Sequence, residues 1–122
     1  MAIFKFNIAE LPLSKSTDET LNMVIGVQDS QRHLAFRFIE KKYLEKIAMC
    51  FPRMSVEFTS SACEELRRML EVSEHPFYDF TDLQYSCTLK TKYKYDKVVN
   101  FDLSLDEVAD KLYRELVIEK FE

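Results

Sequence analysis

Apolar residues recur along this chain with two different beats, and the order of those beats restricts it to a mixed architecture. Strict alternation places every second side chain on one face of a strand, whereas spacings of three and four collect side chains on one stripe of a helix. Phe4, Phe6 and Ile8 alternate with Lys5 and Asn7, which predicts a first strand. A polar connection over residues 9–19 contains Pro12, and Leu21, Met23, Ile25 and Val27 then alternate as a second strand with Gly26 on its other face. A tight turn at Asp29-Ser30 leads into Leu34, Phe36 and Phe38, a third strand with His33 on its polar face.

The beat changes at Tyr43, Leu44, Ile47, Ala48 and Phe51, whose helical spacing predicts an amphipathic helix over 40–50. Pro52 should stop it, because the residue before a proline is pushed out of the α region. Met54, Val56 and Phe58 alternate again and read as a fourth strand. Ser61 and Glu64 have capping-box spacing, opening a second helix with Ala62, Cys63, Leu66, Met69 and Leu70 as its stripe. Residues 73–82 read as a loop. Leu83, Tyr85, Cys87, Leu89, Thr91, Tyr93 and Tyr95 then hold the odd positions of one long strand, with polar groups between them. After a turn near Asp96-Lys97, Val99, Phe101 and Leu103 form a sixth strand. Ser104 and Glu107 repeat the capping-box spacing and open a terminal helix carrying Leu105, Val108, Leu112, Leu116 and Phe121.

The order β-β-β-α-β-α-β-β-α predicts a single α+β domain over residues 1–122. We expect a two-layer sandwich, a mainly antiparallel sheet of about six strands with three amphipathic helices on one face. Its 47% hydrophobic content, with ten Phe and six Tyr, suffices for a core without disulfide or metal. Gly26 is the only glycine, which excludes the phosphate-cradling loops of nucleotide enzymes. Cys50, Cys63 and Cys87 are an odd number without paired spacing, against both a disulfide framework and a zinc site. No basic leader with an apolar run opens the chain and no window has the length of a membrane span, so the expected location is cytoplasmic, with no membrane partner. No cofactor and no metal are expected.

Each cluster that could carry chemistry has a structural explanation beside the functional one. Cys63, read at the start of a helix, could be activated by the helix dipole and paired with His75. However, Glu64 and Glu65 follow it at once, and it belongs to an apolar stripe. His33 reads as a surface histidine. Carboxylates in the sets Glu71, Glu74, Asp79, Asp82 and Asp102, Asp106, Asp110 could divide acid and base roles, but the second set surrounds a helix start, where it is structurally favourable. The ladder of Lys90, Lys92 and Lys94, followed by Lys97 at the turn, falls opposite Tyr93 and Tyr95. An RNA-binding sheet needs both on one exposed face, so nucleic acid is disfavoured.

Charge is distributed in blocks. Residues 57–82 hold seven carboxylates against two cations and 100–122 seven against three, around a basic stretch at 83–99. Within the first block the segment 71–82, EVSEHPFYDFTD, has four carboxylates, no Lys or Arg, and three aromatic rings. Glu71, Glu74, Phe77, Tyr78, Asp79, Phe80 and Asp82 are therefore the candidate partner-binding residues: rings as anchors, acids as a steering rim for a basic protein. The competing explanation is that the rings cap the core.

In size, acidity and lack of a catalytic motif the chain is similar to bacterial immunity proteins and antitoxins, a likeness of size and charge that involves no particular residues. It implies a non-catalytic inhibitor that occludes a basic protein partner such as a toxin. Two other readings compete. One is a small-molecule-binding or enzymatic domain with an aromatic-lined pocket; the other is a structural subunit of a homo-oligomer.

Overall fold

The computed structural model describes residues 2–13, 19–51, 54–84 and 87–121. Strands β1 (Ala2–Pro12), β2 (Thr20–Asp29) and β3 (Leu34–Phe38) form an antiparallel meander, as their alternation predicts. Helices α1 (Lys41–Cys50), α2 (Val56–Val72) and α3 (Pro76–Phe80) follow in succession. Strands β4 (Lys90–Thr91) and β5 (Lys97–Phe101) then pair with the outer edge of β1, and α4 (Leu105–Tyr113) ends the fold. The sheet is antiparallel throughout. Its order is β3-β2-β1, with β5 beside Ala2 to Phe6 of β1 and β4 beside Ala9 and Glu10.

Helices cover both faces of this sheet, so the expected two-layer sandwich is corrected to three layers. The cause lies in β2, where Met23, Val24, Ile25 and Val27 are all fully buried. A strand buried on both faces reads as a continuous apolar run rather than an alternation. Arg37 of β3 points to one face and meets α4 there, donating to Asp110 at 2.8 Å and to Asp106 at 3.0 Å. These two carboxylates, which with Asp102 surround a helix start where a structural role is favourable, thus clamp a strand to a helix. They keep Arg37 protonated against the desolvation that opposes its charge. On the opposite face Gly26 lies under Phe80 of α3, and Arg67 of α2 stacks 4.3 Å from the ring centre of Phe38.

Ser55 caps α2 by accepting from the Phe58 backbone N–H at 3.0 Å. The fourth strand expected at Met54–Phe58 is therefore the start of this helix, and Ser61, whose spacing with Glu64 imitates a cap, lies inside it. The capping box at Ser104 is real: its hydroxyl accepts from Glu107 N and Glu107 Oε1 accepts from Ser104 N. Hydrogen bonding to the Ser104 backbone, and secondarily to its side chain, holds the Glu107 carboxyl below its ordinary range. Helix α4 continues through a π-helical turn (Arg114–Ile118) and a 3-10 turn (Glu119–Phe121). Asn22 reaches across from β2 to donate to the Leu116 carbonyl at 2.8 Å. Tyr113 accepts the Glu40 N–H at 3.1 Å, fixing the start of α1, and its hydroxyl pKa is pushed up to about 12, chiefly by burial.

Of the thirteen-residue strand expected over 83–95, only Lys90 and Thr91 are strand among the described residues, with the Lys92 N–H still donating to the Ile8 carbonyl of β1 at 2.8 Å. Side chains take the place of the ladder. Thr91 Oγ1 accepts from Leu83 N, Glu65 accepts from Thr88 N, and Lys90 Nζ donates to the carbonyls of Gln84 and Cys87. Pro52, Tyr85, Ser86 and residues 14–18 lie outside the described residues. No helix among the described residues is long and apolar enough to cross a membrane.

Candidate functional site

The segment 71–82 is the end of α2 and a short helix, not the loop read from sequence. Pro76 stands in the first turn of α3, where its missing N–H costs nothing. With Pro76 setting the register, Phe77 and Phe80 point inward and are buried, so two of the three candidate anchors belong to the core. Phe80 crosses Phe36 edge to face with centroids 5.2 Å apart. Tyr78 points the other way and is 71% exposed; Val72, at the end of α2, is 83% exposed.

The carboxylates divide similarly. Asp79 is half-buried and accepts the Ser73 hydroxyl, whose oxygen in turn accepts the His75 N–H at 3.1 Å. It holds the α2–α3 corner together and is not part of an open rim. Glu71, Glu74 and Asp82 are exposed. Glu71, Val72, Glu74, Tyr78 and Asp82 are thus the exposed members of this corner, whereas Phe77 and Phe80 are buried and Asp79 is half-buried.

Beside this patch the same corner walls an open cleft of about 560 Å³. Glu74, His75, Tyr78 and Thr81 line it from the helical side; Lys5, Gln28, Leu34 and Asp96 line it from the sheet and the loop before β5. Arg32, in the β2–β3 turn, completes it. Sequence reading missed Lys5, Gln28, Arg32 and Asp96 because they come from three separated stretches; Lys5, for instance, appears only as one polar residue of an alternating strand.

Arg32 adopts φ of +69°, a left-handed conformation that costs an ordinary residue about 1–2 kcal/mol. The turn around it is built by Asp29, whose Oδ1 accepts from the backbone N–H of Gln31 and of His33 while His33 Nδ1 lies 3.0 Å from Oδ2. Desolvation in the turn opposes ionisation of Asp29. The bonds from His33 and Gln31 outweigh it and hold the carboxyl below its ordinary range. His33 therefore belongs to a turn and not to the strand face assigned from its neighbours.

The other sequence candidates are not assembled. Cys63 is the eighth residue of α2, far from the helix start that would favour a thiolate, and burial, aided by Glu64, pushes its thiol up to about 11. It does not line the cleft that contains His75. Burial raises Cys87 as well, with Glu65 reinforcing it, while Cys50 is exposed. An alkylating reagent at about pH 8 should therefore modify Cys50 alone in the folded protein, and all three cysteines after unfolding, read by intact mass. Rapid native labelling of Cys63 would contradict its placement.

The basic stretch departs from its expected alternation, because Tyr95 is 76% exposed on the side assigned to the core. Tyr93 packs edge to face on Phe6, and Lys92 donates to Asn22 Oδ1 at 2.9 Å. Phe36 and Phe80 close over Gly26 and fill the space there, which speaks against the competing reading of an aromatic-lined pocket at this point. Among the described residues no three His, Cys, Asp or Glu side chains converge as a metal site. Comparison of the chain with known protein families, curated proteins and solved structures yields no match.

Proposed function

We propose that the chain is a non-catalytic protein-binding module, an acidic inhibitor in the manner of immunity proteins and antitoxins, which docks on a basic protein surface through the α2–α3 corner. The observation that supports this most is the exposed Tyr78 ring, mounted on a helix that its neighbours Phe77 and Phe80 anchor in the core. A ring so held loses little freedom on binding, and tyrosine is enriched among residues that dominate interface energies. Val72 adds exposed apolar surface at the end of α2, while Glu71, Glu74 and Asp82 supply carboxylates of one sign. Those charges speed encounter with a cationic partner and make association sensitive to salt.

Affinity purification from the native cell identifies the partner, and titration of wild type and variants against it tests the surface. Tyr78→Ala should weaken binding roughly 30-fold or more, the effect of removing an interface hot spot of about 2 kcal/mol. Joint neutralisation of Glu71, Glu74 and Asp82 to their amides should slow association and flatten its salt dependence. Unchanged affinity in both variants would place the contact elsewhere.

A further inference from the structure

The cleft beside the α2–α3 corner holds two cations, Lys5 and Arg32, and two carboxylates, Glu74 and Asp96. Opposite charges in a shared concavity ordinarily pair. Here none of the four has an ion-pair partner within 4.0 Å among the described residues, and Asp96 accepts only the Asn7 amide, at 3.2 Å. Both signs are therefore presented to whatever enters. A ligand of single sign gains from one pair and is repelled by the other, whereas a net-neutral ligand with separated charges satisfies both.

We propose that this cleft binds a zwitterionic ligand of the amino-acid or short-peptide class, its carboxylate on Lys5 and Arg32 and its ammonium toward Glu74 and Asp96. The volume of about 560 Å³ lies within the range of small-ligand sites. Tyr78, Leu34 and Pro76 offer apolar surface to a side chain, and Gln28 offers an amide to a peptide group. The left-handed Arg32 fits the same reading, since strained residues persist where a side chain must be aimed. This inference does not rest on protein docking: Lys5 and Arg32 lie outside the acidic segment, and its assay needs no partner.

The test is an amide-resolved NMR titration with glycyl-tyrosine, its N-acetyl form, its C-terminal amide, and free tyrosine. Glycyl-tyrosine should shift the amides of Gln28, Arg32 and Tyr78, and blocking either end should weaken it about tenfold or more, the loss of one charged hydrogen bond. Tighter binding of the dipeptide than of tyrosine assigns the site to peptides, and the reverse to amino acids; either supports the proposal. Lys5→Met and Arg32→Gln should weaken the free dipeptide while leaving the residual binding of the C-terminal amide unchanged. Glu74→Gln should do the reverse with the N-acetyl form. Arg32→Gly guards against misfolding as an explanation, because it relieves the positive φ and should raise the melting temperature while weakening the dipeptide. Absence of cleft shifts at millimolar dipeptide, or blocked forms that bind as tightly as the free one, would overturn the assignment.

Discussion

Replacing Asn7 with leucine should destabilise the domain by about 3–5 kcal/mol, although in the sequence Asn7 looks like one ordinary polar position of an alternating strand. Its side chain is fully buried and makes four hydrogen bonds. Oδ1 accepts from the N–H groups of Ile8 and Tyr93 at 2.8 and 3.2 Å; Nδ2 donates to the Tyr93 carbonyl and to Asp96 at 3.0 and 3.2 Å. The chain leaves the sheet edge here, between β4 and β5, and Asn7 satisfies both backbone groups of Tyr93 in place of a strand partner. Leucine fills similar space and leaves those groups unpaired, at about 1–3 kcal/mol each. Urea unfolding followed by circular dichroism measures the loss; a change below about 1 kcal/mol would mean that water replaces the amide.

Asn7→Asp separates shape from charge. It keeps the Oδ1 acceptor, replaces the Nδ2 donor with a second acceptor oxygen, and sets a second carboxyl against Asp96. Burial and that neighbour raise the introduced group above its value in the unfolded chain, so the folded state binds the proton more tightly. The penalty relative to wild type should therefore be least below about pH 4 and should grow as pH rises through the folded value. A penalty that does not vary with pH would show that the introduced carboxyl escapes to solvent.

That network also explains how far the sequence could be read. The alternation over 83–95 reports burial correctly at Leu83, Cys87 and Leu89, all inside, yet among the described residues only Lys90 and Thr91 are strand. Side-chain beat records which residues face inward, not where their backbone groups find partners. Here Asn7, Glu65, Lys90 and Thr91 supply the partners, and three of those four look like ordinary polar positions of a strand. The misread at Met54–Phe58 has a different origin. Thr59, Ala62, Cys63, Leu66 and Leu70 already spell the buried stripe of α2, but Ser61 and Glu64 imitate a helix start in its middle. The true cap, Ser55, lacks the reciprocal acid that makes a cap legible, whereas Ser104 with Glu107 has it.

The candidate surface was legible as a stretch but not as a geometry. Three rings among four acids mark 71–82 from composition alone. Which ring faces out depends on Pro76 opening a helical turn, which sends Phe77 and Phe80 inward and Tyr78 outward. The cleft was not legible at all, because its charges come from β1, the β2–β3 turn, the α2–α3 corner and the loop before β5. Such sites are made by packing, and no local pattern announces them.

The anchor beneath that surface is the contact between Gly26 and Phe80, and it yields a coupled prediction. Gly26 has no positive φ, so it is needed for space alone: a Cβ there would stand 2.7 Å from ring carbons of both Phe36 and Phe80. Phe80 is fully buried and held through the Thr91 hydroxyl, which donates to its carbonyl at 2.8 Å, so it cannot swing aside. Gly26→Ala should cost about 1–3 kcal/mol by overpacking, and Phe80→Ala about 3–5 kcal/mol by opening a cavity. Combined, the added methyl enters the space the ring vacates, and alanine also restrains the unfolded chain more than glycine does. Gly26→Ala should then be neutral or stabilising in the Phe80→Ala background. The four-variant cycle, measured by urea unfolding, should show a coupling of roughly 1–3 kcal/mol. Additivity within about 0.5 kcal/mol would mean that Phe36 alone opposes the Cβ. In that case α3 is held at this point by something other than ring-on-backbone contact, and Tyr78 would keep its orientation without Phe80.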